Sequence, residues 1–265
     1  MMENRIHNTE LFYPELSYSI IGAAMDVHNK LRPGWDEWDY HRAMIDALQK
    51  RGHLVLSHDR KNLKHRAVAV DRLELDLLVD DLVILELKHI KSNFHPEHYT
   101  QIITYLKRWE KKLGILINFG LEQLRYQRVP FTSTQGAIAC TGHWNELQSE
   151  YSKLLASAMD AILCEHGLGY GIDLYKKLLW VELMHKGVEA AKPSLSPRLD
   201  GLCLGERTVD AILVGSELMV MVSASSTGTS ATDLSYLKTY MGQADVSEGV
   251  LVNVGNSEIQ LRGVR

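Results

Sequence analysis

The segment Leu82-Val-Ile-Leu-Glu-Leu-Lys88 has the apolar content of a buried strand but carries two charges, Glu86 and Lys88, two residues apart. Successive strand residues point to opposite faces, so Glu86 and Lys88 share one face while Leu85 and Leu87 share the other. Burying such charges is costly unless they pair or bind a metal. Asp76 lies ten residues before Glu86, within Leu73–Val79, and Asp80-Asp81 predicts a turn that folds the two segments into a hairpin. Asp76 then comes close to Glu86. Two carboxylates and an ammonium on one sheet face form a hard oxygen site for Mg²⁺ with an adjacent cation, suited to metal-assisted chemistry. A structural ion pair between Glu86 and Lys88 at a sheet edge fits the same residues, and from these residues alone both readings stand.

Other polar residues have spacings that place them on shared faces. Gln101 and Tyr105 lie at i, i+4 in a predicted helix, and Glu37 and Tyr40 lie at i, i+3 after Gly34. A basic run, Arg60-Lys61, Lys64 and Arg66, sits between strands with His58 and His65 nearby, where it could contact phosphates or serve as a solvated loop. His95-x-x-His98 lacks the further ligand pair that a tetrahedral zinc site needs. His28 reads as a helix-terminal cap, and Trp35 and Trp38 as core or interface residues.

The elements that must position these residues follow from periodicity. Apolar residues at Ile20, Ala23, Ala24, Val27 and Leu31 define a helical face over Glu15–Leu31, broken by Arg32-Pro-Gly34. A second helix is predicted over Asp36–Arg51 and stops at Gly52. Short strands follow at His53–Ser57, Ala67–Val70, Leu73–Val79 and Leu82–Lys88, then a helix over Pro96–Lys111 and strands at Leu113–Phe119 and Leu124–Val129. The order ααββββαββ predicts an α/β domain with a mixed sheet flanked by helices.

That order recurs. Tyr40 and Tyr175 are separated by 135 residues, and the same offset pairs Gly34 with Gly169, Gly52 with Gly187, and Thr104-Tyr105 with Thr239-Tyr240. Gly114-Ile-Leu-Ile-Asn-Phe-Gly120 aligns with Gly249-Val-Leu-Val-Asn-Val-Gly255, identical or apolar-for-apolar throughout. The chain therefore reads as tandem domains at 1–130 and 146–265, joined by a linker at 131–145. At the same offset Glu86 maps to Met221, Lys88 to Ser223, Glu37 to Ile172 and Gln101 to Tyr236. Asp210 keeps a carboxylate near the Asp76 position, one residue out of step. The second copy is expected to have lost the site, and its Ser223–Ser230 loop reads as a linker.

Composition excludes several classes. With 265 residues, 45% hydrophobic and 23% charged, the chain is globular rather than disordered or fibrous. Its apolar stretches, such as Leu218–Val222, are far shorter than the roughly 20 residues of a membrane span. Cys140, Cys164 and Cys203 are too widely spaced for a metal knuckle or disulfide framework. A net charge of −4 argues against nonspecific polyanion binding through overall charge. The expectation is a soluble cytoplasmic protein with no membrane contact.

A sheet carrying D…ExK followed by a helix carrying QxxxY resembles the PD-(D/E)XK nuclease superfamily, in particular its RecB-like branch. The spacing Gly34–Glu37–Tyr40 is similar to that of the GxxExxY protein family within it, as are Ile20-Ile-Gly-Ala-Ala-Met-Asp-Val-His28, Asp76-Leu-Leu-Val79 and Leu116-Ile-Asn-Phe-Gly120. The resemblance covers about residues 11–130. Arg32-Pro33-Gly34 stands where that family more often has Gly-Pro-Gly, and no Pro precedes Asp76.

The resemblance implies tandem PD-(D/E)XK-like domains and a nuclease acting on DNA, with RNA also open, using Mg²⁺ or Mn²⁺. Asp76, Glu86 and the Leu87 carbonyl would ligate the ion, and Glu37 would add a metal or water ligand. Lys88 would orient the attacking water or neutralise the phosphate, while Gln101 and Tyr105 would position the backbone or Lys88. The degenerate copy would make an intrachain pseudo-dimer, with a homodimer as another possibility. The alternative is a non-catalytic nucleic-acid-binding or protein-assembly module on a nuclease scaffold.

Overall fold

In a computed structural model the chain is described over residues 12–133, 136–200, 202–225 and 228–265. Leu11, Thr134-Gln135 of the expected linker and Ser226-Thr227 of the Ser223–Ser230 loop lie outside the described residues. The chain divides into two units. Unit 1 comprises the residues up to 61 together with 72–132, and unit 2 comprises 62–71 together with 133–265.

In unit 1, helix α1 (Pro14–Leu31) opens with Pro at its first position and buries Ile20, Ala23, Ala24 and Val27, the face expected from the 3.6 period. Gly34 takes φ +128 in the loop to α2 (Glu37–Lys50), a conformation that disfavours any residue with a Cβ. The strands are β1 (Val55–Ser57), β2 (Arg60–His65), β3 (Val68–Glu74), β4 (Leu77–Val79) and β5 (Val83–Lys88). Helix α3 (Pro96–Arg108), β6 (Leu113–Asn118) and β7 (Arg125–Pro130) complete the unit.

Two details differ from the sequence reading. The basic run Arg60–Arg66 is not a loop between strands. It forms β2 and the turn into β3, and the two strands make a separate two-stranded sheet whose outer part, 62–71, groups with unit 2. The stretch Leu73–Val79 is not one strand either. It breaks at Leu75-Asp76, which lets β3 leave with β2 while β4 joins the main sheet.

That main sheet has the order β1-β4-β5-β6-β7, with β5 and β6 parallel and the other pairs antiparallel. The turn between β4 and β5 is closed by the Leu82 N–H donating to the Val79 carbonyl, with Asp80 and Asp81 both at positive φ. Helices α1 and α2 cover one face through Val83, Leu85 and Leu87. Helix α3 covers the other through Ile84, Leu116, Ile102 and Leu106. Alternation along β5 therefore turns Glu86 and Lys88 toward the α3 face.

Unit 2 begins with a strand where a linker was expected. Strand β8 (Ala137–Gly142) pairs in parallel with a strand at the far end of the chain and is followed by a 3₁₀ turn, Trp144–Glu146. Local composition conceals it because its partner lies more than a hundred residues away. Helices α4 (Glu150–His166) and α5 (Ile172–His185) follow. Then come five two-residue strands, β9 (Ala190–Ala191), β10 (Ser194–Leu195), β11 (Arg198–Leu199), β12 (Leu202–Cys203) and β13 (Arg207–Thr208). Strands β14 (Ile212–Val214) and β15 (Leu218–Ser223), helix α6 (Ala231–Ala244), and strands β16 (Glu248–Val254) and β17 (Glu258–Val264) close the chain. The large sheet has the order β8-β17-β16-β15-β14-β9.

The offset of 135 holds for whole elements. Helix α5 starts at 172 against 37 for α2, β14 at 212 against 77 for β4, and β15 at 218 against 83 for β5; each pair also ends at the same offset. Register repeats as well, with Glu86 opposite Leu116 and Met221 opposite Leu251. Among the described residues no helix is long and apolar enough to cross a membrane.

Candidate active site

The β4–β5 register sets the central geometry. Leu77 pairs with Leu85, so the next residues outward, Asp76 and Glu86, face each other across the two strands. The Asp76 Oδ2 accepts a hydrogen bond from the Leu87 N–H at 2.7 Å. A strand residue's N–H and C=O project to the same edge, so the Leu87 carbonyl also faces Asp76. Lys88 Nζ lies 2.6 Å from Glu86 Oε1. The other oxygen, Glu86 Oε2, is buried and has no hydrogen-bond partner among the described residues.

These contacts give the site its electrostatics. Glu86 is 1% exposed, and burial, reinforced by the Asp76 charge, pushes its carboxyl up to about 8 against the pull of Lys88. Burial likewise holds Asp76 above the usual carboxylate range, opposed by the Leu87 N–H and then by Lys88, His41 and His58. Burial alone would depress Lys88, but Glu86, together with the Asp76 and Glu37 charges, outweighs it and keeps the ammonium above its ordinary value. Two carboxyls both held up by burial, one of them with an oxygen that lacks a partner among the described residues, are a donor set suited to a cation. Asp76, Glu86 and the Leu87 carbonyl supply the hard oxygen ligands that Mg²⁺ or Mn²⁺ takes.

The remaining expected residues divide. Glu37 is the exposed first residue of α2, and its charge adds to those raising Glu86. Tyr105 is buried at the α3 face, where burial and then the Glu86 charge push its hydroxyl up to about 12. Gln101 Nε2 donates to the Tyr105 hydroxyl at 3.0 Å, so the QxxxY pair is joined within itself. Tyr40 is a latch: its hydroxyl donates to the Arg32 carbonyl at 2.7 Å, and its ring stacks on Phe119 at 4.7 Å.

The basic residues are largely engaged. Arg60 pairs with Glu74 at 2.6 Å, and Lys61 lies over the Trp109 ring at 5.2 Å. Arg66 makes two hydrogen bonds to Glu182, while Lys64 is exposed. His95 and His98 form a capping box at the start of α3, with the His95 N–H donating to His98 Nδ1 at 2.9 Å. His28 does not cap its own helix; its Nε2 lies 2.9 Å from the Leu121 carbonyl oxygen.

Three residues near the site, of which the sequence singled out His58 and Trp38 in other roles and His41 not at all, pack together. His41 Nε2 lies 3.3 Å from the Asp76 carbonyl oxygen, and its Nδ1 is buried without a hydrogen-bond partner among the described residues. His41 stacks on His58 at 4.4 Å, and Trp38 stacks on both at 5.3 and 5.6 Å. Trp38 is 57% exposed and Trp35 55%, so neither is a core residue. Glu37 and His41 stand at i, i+4, a signal that could have flagged His41; His58 is marked only by its place beside the basic run, which does not bring it to Asp76.

One comparison with known proteins bears on this geometry. Residues 14–129 match the family model of the PD-(D/E)XK nuclease superfamily. No curated protein and no solved structure matches the chain. The superfamily match spans unit 1 from α1 to β7, including Asp76, Glu86 and Lys88, and the mixed sheet flanked by helices agrees with the PD-(D/E)XK fold. It points to a metal-dependent nuclease and a nucleic acid substrate.

Proposed function

We propose that unit 1 is a nuclease that hydrolyses phosphodiester bonds of DNA, with RNA left open as a substrate, using Mg²⁺ or Mn²⁺. The observation that carries this reading is the buried Glu86 Oε2, left without a partner among the described residues on the face that also carries Asp76. Asp76, Glu86 and the Leu87 carbonyl would hold the ion, and Glu37, at the start of α2, would add a metal or water ligand. When bound, the ion stabilises the charge that builds on the scissile phosphate and acidifies the attacking water. Lys88 would orient the attacking water or neutralise a phosphate oxygen, and its pairing with Glu86 at 2.6 Å holds the ammonium beside the carboxylates. Tyr105, braced by Gln101, closes the α3 side of the site and positions Lys88. The exposed Trp38, supported by His41 and His58, offers a stacking surface for an unpaired base.

Unit 2 is a degenerate copy. Met221 stands at the Glu86 position and packs with Met219, Leu237 and Leu251, and Ser223 replaces Lys88. Ala211 fills the Asp76 position, while Asp210 is exposed and pairs with Lys176 at 2.6 Å. The chain then carries one live site of this kind.

The test is cleavage of end-labelled single- and double-stranded DNA with Mg²⁺, Mn²⁺ or EDTA, with Lys88→Ala alongside. Metal-dependent cutting that disappears in the variant is expected. Equal cutting by both proteins would move the active site elsewhere, and no cutting by the folded, metal-loaded protein on any substrate would favour a binding module.

A further inference from the structure

Within unit 2 a second cluster of ligating side chains has a different chemistry. His65, at the end of β2 within the 62–71 segment of this unit, is fully buried, with its Nδ1 directed at the C-terminus of α4. There it lies 3.0 Å from His166 Nε2 and 3.0 Å from Glu165 Oε2, and His166 Nε2 lies 3.6 Å from Glu165 Oε1. A tetrahedral ion with bonds of 2.0–2.1 Å needs its donors about 3.3 Å apart. These separations, which involve both Glu165 oxygens, bracket that spacing, and one ligand atom from each of the three residues lies within 4.8 Å of the other two.

The surroundings prepare the cluster for a cation. His65 Nε2 lies 2.9 Å from the fully buried Glu182 Oε2, and Glu182 is held in turn by two hydrogen bonds from Arg66. A carboxylate that accepts a hydrogen bond from Nε2–H fixes the tautomer and leaves Nδ1 with its lone pair free for a ligand, the outer-sphere arrangement of histidine ligands to zinc. That lone pair faces the Glu165 carboxylate, and two acceptors at 3.0 Å require a cation between them. The end of α4 adds the negative pole of its helix.

We propose that His65, Glu165 and His166 form a binding site for a zinc-class divalent ion, with a solvent molecule as fourth ligand and Glu182 as the positioning carboxylate. Two imidazoles and one carboxylate favour Zn²⁺ over Mg²⁺, which prefers oxygen alone. The ion would pin residues 62–71 to α4 and α5. Nothing in this site depends on the oxygen site of unit 1.

The experiment uses the full chain, stripped with EDTA, returned to saturating Mg²⁺ and titrated with Co²⁺. One equivalent is expected to bind with the intense visible absorption of four-coordinate cobalt, to be displaced by Zn²⁺, and to persist in Glu86→Ala. His166→Ala and Glu165→Gln should lose that absorption while keeping wild-type circular dichroism. The exposed position of Glu165 makes its amide variant safe for folding. Glu182→Gln should bind about 10- to 100-fold more weakly. Only faint octahedral absorption from the wild type, or an unchanged titration in both His166→Ala and Glu165→Gln, would overturn the site and leave a proton as the cation in the cluster.

Discussion

Strands β5 and β15 have the same length, the same neighbours in register and the same hairpin before them, yet one carries Glu86 and Lys88 where the other carries Met221 and Ser223. The supports around them also recur. Tyr40 and Tyr175 each donate to a carbonyl eight residues upstream at 2.7 Å. Asn118 and Asn253 each tie the end of the next strand to the loop leaving β5 or β15, through Ser92 and Ile90 in one unit and Ser225 in the other. The fold is thus maintained by latches that the charges do not join. Met221 shows that the central strand is satisfied by an apolar side chain, so Glu86 is held in a buried position at a cost that folding does not require.

Substitutions can break or sharpen this contrast. The largest effect is on chemistry: Glu86→Ala or Lys88→Ala should lower initial cleavage rates by about a hundred- to a thousandfold or more, whereas Asp210→Ala should leave them unchanged. A large loss with Asp210→Ala would mean that unit 2 is not inert. Next, giving unit 1 the residues of unit 2, as Glu86→Met with Lys88→Ser, should stabilise the metal-free protein by about 1–4 kcal/mol while removing activity, read as a higher thermal midpoint in EDTA. Destabilisation by that double change would return Glu86–Lys88 to the structural ion-pair reading.

Smaller effects test the surroundings. Trp38→Ala should weaken single-stranded DNA binding by about 1–3 kcal/mol in fluorescence anisotropy. Its counterpart, Asp173, is a solvated carboxylate beside Lys176, and Asp173→Ala should change binding little. Smallest of all, Tyr40→Phe and Tyr175→Phe should each cost about 1 kcal/mol in denaturant unfolding, because each removes a hydroxyl that donates to the same kind of upstream carbonyl. Unequal costs would show that the two latches are not equivalent.

The units also differ in what they could hold. Unit 1 gathers carboxylates and a backbone carbonyl, the donors of a hard ion that keeps water in its shell. Unit 2 gathers two imidazoles and a carboxylate. Magnesium and zinc should therefore act on the protein independently, one needed for turnover and the other for holding residues 62–71 in place.

Much of the candidate site was legible in the chain. The period of two in Leu82–Lys88 places Glu86 and Lys88 on one face, and the Asp80-Asp81 turn brings Asp76 opposite Glu86. The period of 3.6 sets Gln101 beside Tyr105, and the 135-residue offset marks α5 and β15 before any fold is seen. These are local rules, set by strand pleat, helix pitch and turn geometry, and a sequence states them directly. Other features depend on which distant segments pack together. Strand β8 exists because β17 offers it an edge, and Trp38 is exposed because α2 turns that residue away from the sheet. His41 and His58 meet near Asp76 from separate elements, and His65 meets Glu165 and His166 across a hundred residues of chain. No local period encodes such encounters, and only the tertiary structure, through the burial of many apolar faces at once, decides them.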